Sequence, residues 1–237
     1  SKLALKQQKQ VFSSSNKRRI ILSTNVAETS VTVPNVTCVI DSGLARVSRY
    51  SYRSKIQRLP IEPIAKASVT QRAGRAGRVA AGINIRLFSL EDFQKRNEFT
   101  EPEIQRTDLA SVILQMAWLR LGSLESFPLL DPPDPKLIRD GMNHLERLGA
   151  LEGERITELG KKMAYLPIEP KLAKILIKAQ ELGCLKEAII VVACLSIQDP
   201  REYPRETLEA AKKSHGRFFH PKSTFLSIIQ LWDHLSS

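Results

Sequence analysis

Short apolar, β-branched runs alternate with loop and helix segments through the first part of the chain, and that alternation leaves few folds open. Arg19 to Ser23 carries Ile20-Ile21-Leu22 and reads as a buried strand. Val36 to Ile40 is a second strand, stopped by Asp41-Ser42-Gly43, and Ile83-Asn84-Ile85-Arg86-Leu87-Phe88 is a third. Between the first two lies a loop or short helix over residues 25–32. Near-continuous apolar strands with helical pieces between them imply a parallel sheet, so the α/β class is expected here. Ahead of them, residues 2–12 read as a short helix ending at Val11-Phe12, and Ser13-Ser14-Ser15-Asn16 as a polar turn.

One stretch departs from this pattern. Residues 46–62 are polar, basic and β-favouring, and read as an antiparallel hairpin turning near Arg53 to Lys55. A helix is expected from about Ser68, with Ser68 as its cap, until Gly74 and Gly77 loosen it. Ser89 and Asp92 have capping-box spacing for the next helix. After Glu101-Pro102, the apolar positions Leu109, Val112, Ile113, Met116, Ala117 and Leu119 follow helical spacing. Asp131-Pro132-Pro133-Asp134-Pro135 forces a break. A helix over about 135–149 follows, with Gly149 as C-cap, then a short β-turn-β piece over 150–157. Helix, helix and small hairpin together form the pattern of a winged helix. Beyond Pro170 the chain reads as helical, with a buried helix around Ile189-Ile190-Val191-Val192 and an amphipathic one from Ser223 to Leu235.

The net charge of +11 is unevenly spread. Residues 1–97 hold 18 Lys and Arg against 5 Asp and Glu, whereas residues 98–237 hold 18 against 20. The excess therefore points to a polyanion partner for the N-terminal part, nucleic acid or nucleotide phosphate. A membrane surface is a poor fit, because these cations lie on no long amphipathic helix. No apolar run approaches the roughly 18 residues of a membrane span, and no signal-peptide pattern opens the chain. The three cysteines, Cys38, Cys184 and Cys194, are too few and too scattered for a disulfide framework. They read as small core residues in a reducing, cytoplasmic setting. The four histidines have no metal-ligand spacing, so no metal site is expected in the chain.

Within the basic part, Gln71-Arg72-Ala73-Gly74-Arg75-Ala76-Gly77-Arg78 sets three arginines three residues apart, with a glycine before the second and the third. Arginine offers a planar fork of donors that matches phosphate oxygens, and a glycine beside it lets a polyphosphate or a backbone come close. The run reads as the edge of a nucleotide site. A plain arginine-rich helix end is the alternative. Hydrolysis of a nucleoside triphosphate usually also needs a glycine-rich loop with lysine and an acidic magnesium ligand. No G-x-x-x-x-G-K-[ST] occurs in these residues, so the run can complete such a site but cannot build one alone.

Two segments together carry a resemblance. Ser23-Thr24-Asn25-Val26-Ala27-Glu28-Thr29-Ser30-Val31-Thr32 and the arginine–glycine run closely resemble motifs V and VI of the DEAH-box helicases. The segment Pro60 to Ser68, the basic stretch Arg46 to Arg53 and Leu195-Ser196-Ile197-Gln198-Asp199-Pro200-Arg201-Glu202 are similar to the bacterial HrpA-type members in particular. The resemblance implies α/β plus α architecture. Part of the second RecA-like domain with its β-hairpin would span 1–97, a winged helix 98–166, and the start of a helical ratchet-like domain 167–237. It implies an ATP-dependent RNA helicase whose P-loop and Asp-Glu-Ala-His motif lie in a preceding domain, so that these residues alone are inactive. A non-catalytic nucleic-acid-binding module is the alternative.

Residue roles follow from the same resemblance. Gln71 would position the attacking water, and Arg75 and Arg78 would act as arginine fingers on the transferring phosphoryl group. Arg72 either shares that task or holds the loop through an internal ion pair, and Glu28 would order the motif V loop. Ser30 would lie near the γ-phosphate and magnesium, and Thr32 near the ribose. Pro34 departs from relatives that have an aspartate for a ribose contact. Phe12 corresponds either to an aromatic that stacks on the base or to a plain core phenylalanine. Thr24 and Asn25, at the end of a strand, would grip RNA backbone, with a simple helix cap as the alternative. Arg49, Arg53, Lys55 and Arg58 would supply the hairpin's charge to RNA, beside the faces of Tyr50 and Tyr52, unless the hairpin is merely solvated. ATP or another NTP with Mg²⁺, held mainly by the preceding domain, single-stranded RNA, and a monomeric cytoplasmic protein complete the expectation.

Overall fold

The computed structural model describes residues 9–13, 17–29, 33–78, 80–197, 199, 201, 203 and 207–236. They divide into two compact units. One comprises the described residues up to Asp108 together with Leu130–Asp134, and the other comprises Leu109–Leu129 with Pro135–Ser237.

The first unit is built on a two-stranded parallel ladder. Strand β1 (Cys38–Asp41) pairs with β6 (Ile83–Arg86) in the register Cys38 to Ile83 through Asp41 to Arg86. Parallel neighbours need a long crossover. Here the crossover consists of the hairpin followed by helix α2 (Lys66–Ala73). The hairpin has two ladders in line: β2 (Leu44–Arg46) with β5 (Ile61–Pro63), and β3 (Arg49–Ser51) with β4 (Ile56–Arg58). It turns over residues 52–55, where Lys55 takes the left-handed conformation at φ 55°. Helix α1 (Val26–Thr29) precedes β1, and helix α3 (Leu90–Lys95) follows β6. Ser89 caps α3 as expected, its hydroxyl accepting from the Asp92 amide at 3.0 Å.

Gly43 marks the junction between β1 and the hairpin. Its φ of +69° favours glycine, and a Cβ there would lie 2.6 Å from the Phe88 ring and 2.7 Å from Arg96. Arg96 fills that corner, with its guanidinium 4.0 Å from the Phe88 ring centre. It donates to the carbonyl of Gly43 at 2.8 Å and pairs with Asp92 at 2.6 Å.

Three local expectations need correction, the third of them across both units. Residues 19–23 belong to no strand, and Ile20 and Leu22 are 82% and 94% exposed. An apolar run becomes a strand only where another strand's edge meets it, and among the described residues no strand pairs with 19–23. Helix α2 begins at Lys66 and not at Ser68; Ser68 is buried inside it, and Ala65 occupies the cap position. The start is fixed by main-chain contacts, since the amides of Lys66 and Ala67 donate to the carbonyls of Asn97 and Glu98. Cys38 and Cys184 are exposed and Cys194 is half-buried, so none is a fully buried core residue; all three are free thiols. An apolar neighbourhood in sequence does not fix which face a residue takes.

In the second unit, α4 (Ala110–Leu119), α5 (Pro135–Arg147) and α6 (Glu158–Tyr165) pack around Leu109, Leu114, Leu145 and Met163, all essentially inaccessible. The two-residue strands β7 (Leu151–Glu152) and β8 (Arg155–Ile156) form the small wing. Gly160 is required by packing: a Cβ there would sit 2.1 Å from the Ala150 carbonyl. Thr157 caps α6, accepting from the Gly160 amide at 2.9 Å. Helices α7 (Pro170–Glu181), α8 (Leu185–Ser196), α9 (Leu208–Gly216) and α10 (Thr224–Ser236) complete the unit. Helix α8 is one-sided and not buried all round: Ile190 and Val192 are covered, but Ile189 and Leu195 are each 49% exposed.

Candidate nucleotide and nucleic-acid site

The arginine–glycine run occupies the end of α2 and the turn after it. Gln71 and Arg72 lie in the last helical turn, and Gly74 caps the helix. Gln71 and Arg78 are exposed, while Arg72 and Arg75 are half-buried. Neither glycine is demanded by the fold. Gly74 is in the ordinary right-handed region, and a Cβ on it would make only normal contacts at 3.5 Å; a Cβ on Gly77 would meet nothing within 4 Å. Among the described residues the open space beside Arg78 thus has no packing explanation. Between the glycines, Ala76 is buried, and its carbonyl would lie 2.1 Å from a Cβ on Gly82. The run is pressed against the chain that leads into β6.

Two of the three arginines reach α1, the helix directly after Thr24 and Asn25. Arg72 donates from Nε to Glu28 at 3.0 Å and from Nη1 to Asp41 at 2.8 Å. Arg75 donates to the main-chain carbonyl of Glu28. The internal ion pair that was one alternative for Arg72 is therefore present, and Glu28 is bound to the run by both its carboxylate and its carbonyl. The side chains of Thr24 and Asn25 are exposed, and the first turn of α1 is closed by their carbonyls, which accept from Ala27 and Glu28 at 3.2 and 3.0 Å. Phe12 ends a short 3₁₀ turn and is 49% exposed, which removes the core-phenylalanine alternative. Arg19 holds that turn through the carbonyls of Gln10, Val11 and Ser13. Ser30 and Thr32 lie outside the described residues. Pro34 is exposed in a turn with Asn35 at φ 57°.

The hairpin cations separate into two groups. Arg49 is taken up internally. Its Nε lies 2.7 Å from Glu62 and its Nη1 2.6 Å from Glu101. These hydrogen bonds hold the Arg49 guanidinium above its ordinary pKa and the Glu62 carboxyl below the usual carboxylate range. Arg49, the residue expected to contact RNA, thus clamps the hairpin base while its side chain stays 42% exposed. Arg106 adds to the clamp, donating to the Ser48 carbonyl at 3.0 Å and accepting through its own carbonyl from the Tyr50 amide at 2.8 Å. Arg53 and Lys55, in the turn, and Arg58, opposite Arg49 across the ladder, are exposed. Arg53 leans over the Tyr52 ring at 5.9 Å. A cleft of about 920 Å³ lies beneath the hairpin base, and Asn25, Arg46, Arg49, Phe99 and Arg106 are among its lining residues.

Sequence reasoning missed Asp41, Glu62, Glu101, Arg96 and Arg106. Asp41 in Asp-Ser-Gly carries a readable signal for a strand stop, but nothing local marks it as a partner of Arg72, 31 residues away. Among the described residues no group of three or more His, Cys, Asp or Glu is placed to hold a metal ion, and no helix is long and apolar enough to cross a membrane.

The helicase conserved C-terminal domain model matches residues 1–80, and the helicase-associated (HA2) winged-helix and ratchet-like models match 141–168 and 169–228. The chain belongs to the DEAH-box helicases. It is 53% identical over 99% of its length to an ATP-dependent RNA helicase HrpA homolog from Haemophilus influenzae and 51% identical to HrpA of Escherichia coli. Human ATP-dependent RNA helicase DHX33 is 33% identical over 95% of the chain. The chain spans only 19%, 18% and 33% of the lengths of these three relatives. The crystal structure of the E. coli DExH-box NTPase HrpB superimposes with a TM-score of 0.75 at 31% identity, over 99% of this chain and 28% of that one. The order of parts in this DEAH-box segment is thus a RecA-like helicase C-terminal domain, a winged helix and a ratchet-like domain.

Proposed function

We propose that these residues supply the second half of an ATP-dependent RNA helicase site. The run gives the groups that act on ATP, and the 24–25 loop with the hairpin gives part of the RNA surface. Gln71 positions the attacking water, and Arg75 and Arg78 neutralise charge on the phosphoryl oxygens as it spreads in the transition state. A cationic donor set with one glutamine suits the phosphates of ATP. The accompanying Mg²⁺ finds no ligand set among the described residues and is assigned to none of them. Phe12, exposed beside its Arg19-held turn, stacks on the base; Ser30 and Thr32 face phosphate and ribose. Thr24, Asn25, Arg53, Lys55 and Arg58 contact single-stranded RNA, with Arg49 orienting the hairpin from its base. Three functional parts, 1–97, 98–166 and 167–237, fit this reading.

The observation that carries it is the tie between run and loop. Arg72 and Arg75 both bind Glu28, three residues from Asn25, so the phosphate side and the RNA side share one residue. The test is steady-state ATP turnover by the protein as its gene encodes it, with and without a 20-nucleotide uridine RNA. Turnover that RNA raises at least tenfold is expected. RNA binding without turnover would favour a non-catalytic module.

A further inference from the structure

Arg72 sits in a charge cluster that structural economy does not explain. Its side chain is 14% exposed, that of Glu28 13% and that of Asp41 2%. Asp41 Oδ1 accepts from Arg72 and also from the Gly43 amide at 2.9 Å. Yet Asp41 Oδ2 and Arg72 Nη2 are buried without a hydrogen-bond partner among the described residues. Desolvating charged groups is costly, and a network that leaves a donor and an acceptor unmatched is a poor stabiliser compared with packed apolar side chains.

The connectivity offers a better account. Glu28 belongs to α1, just after the loop of Thr24 and Asn25. Asp41 ends β1. Arg72 Nη1 also reaches the carbonyl of Leu44, the first residue of the hairpin, at 3.2 Å. Both RNA-facing elements therefore converge on Arg72. Three residues further on, about one turn, Arg75 holds the Glu28 carbonyl. Glu28 grips one arginine by its carboxylate and the next by its main chain. A displacement of α1 cannot leave the aim of Arg75 unchanged.

We propose that Arg72, fixed by Glu28 and Asp41, is a positioning residue that transmits RNA engagement to Arg75. RNA contact at the loop and hairpin shifts Glu28 and withdraws its carbonyl from Arg75. The Arg75 guanidinium then turns to phosphate, while Arg72 keeps α2 in register with the loop. This rests on the assignment of the run to ATP and of the loop to RNA made above.

The test uses the protein as its gene encodes it and compares it with Glu28→Gln and Asp41→Asn. Amide hydrogen exchange is followed with and without the 20-nucleotide uridine RNA, alongside RNA affinity and RNA-stimulated and basal ATP turnover. In the unsubstituted protein, RNA alters exchange over both 25–29 and 71–78. In Glu28→Gln the change at 25–29 remains, the change at 71–78 is lost, and the ratio of stimulated to basal turnover falls at least fivefold, with RNA affinity within threefold. Where Asp41→Asn fails to fold, Glu28→Gln, isosteric and less buried, carries the test. A full response at 71–78 in Glu28→Gln, or a parallel fall of stimulated and basal rates, overturns the proposal. If the unsubstituted protein responds to RNA at 25–29 but turns over no ATP, the ATP assignment fails, and the exchange data alone decide the coupling. If RNA leaves 25–29 unaffected, the RNA assignment fails and the relay falls with it.

Discussion

Gly77 and Gly82 flank the end of the arginine run, and the structure gives them opposite reasons to be glycine. Replacing Gly82 by alanine would put a Cβ 2.1 Å from the Ala76 carbonyl, where real contacts are more than an ångström longer. Ala76 is only 3% exposed, and the obstacle is backbone rather than a side chain that can swing aside. The run must move by about 1 Å. Overpacking of this kind costs about 1–3 kcal/mol, and a misplacement of about 1 Å at a reacting group costs on the order of 10²-fold in rate. Gly77→Ala, by contrast, meets nothing within 4 Å and has no positive φ to lose. Its stability should be unchanged or higher by a few tenths of a kcal/mol, about the gain from a stiffer unfolded chain. If the space beside Arg78 serves a polyphosphate, Gly77→Ala should still depress turnover, through a higher KM for ATP. Urea unfolding midpoints and steady-state ATP kinetics on both variants separate the two effects. A neutral Gly82→Ala would refute the close approach of the run to the β6 lead-in. A Gly77→Ala protein with unchanged KM and kcat would refute the idea that this glycine admits a ligand.

Replacing Arg53, Lys55 and Arg58 together by glutamine should weaken RNA binding and flatten its salt dependence, the slope against log salt falling by roughly 2 for three lost cations on a single strand. An unchanged slope in a fluorescence-anisotropy titration would move the RNA path elsewhere. Because Arg49 holds the Glu62 carboxyl below its ordinary range, the clamp's contribution is complete above that range and is lost as pH falls through the lowered value. Acid titration should therefore loosen the hairpin before the ladder of β1 and β6, read by amide exchange over residues 49–58. In Glu62→Gln that early step should disappear, since the hairpin is already loosened at neutral pH. The 237-residue chain by itself should bind RNA without measurable ATP turnover, and RNA-stimulated turnover by it would contradict the division of the site proposed here.

What could be read from the residues was local pattern. The hairpin and its turn, the capping serine at 89 and the wing at 151–156 are set by side-chain period, turn chemistry and cap residues a few positions apart. The failures involve partners distant in sequence. Ile20-Ile21-Leu22 has the composition of a strand, but pairing decides, and no strand among the described residues pairs with it. Ser68 looks like a cap, but main-chain contacts to Asn97 and Glu98 start α2 two residues earlier. At the site, the spacing of the arginines is the basis for the phosphate chemistry proposed above. It did not reveal that Arg49 is taken by Glu62 and Glu101, the latter 52 residues away, or that Arg72 bridges Glu28 and Asp41. Ion pairs of that kind leave no periodic trace, because each partner alone looks like an ordinary surface charge.

The most direct measurement is the effect of Arg78→Ala on RNA-stimulated ATP turnover, made in the protein as its gene encodes it and paired with RNA affinity. Arg78 is exposed beside Gly77, and the circular dichroism of the variant checks that its fold is intact. An arginine that neutralises the transferring phosphoryl group is worth about 10³–10⁵ in rate. Turnover should fall by about that factor, with RNA affinity within threefold of the unsubstituted protein. Turnover within tenfold of the unsubstituted protein would contradict the assignment of this run to ATP.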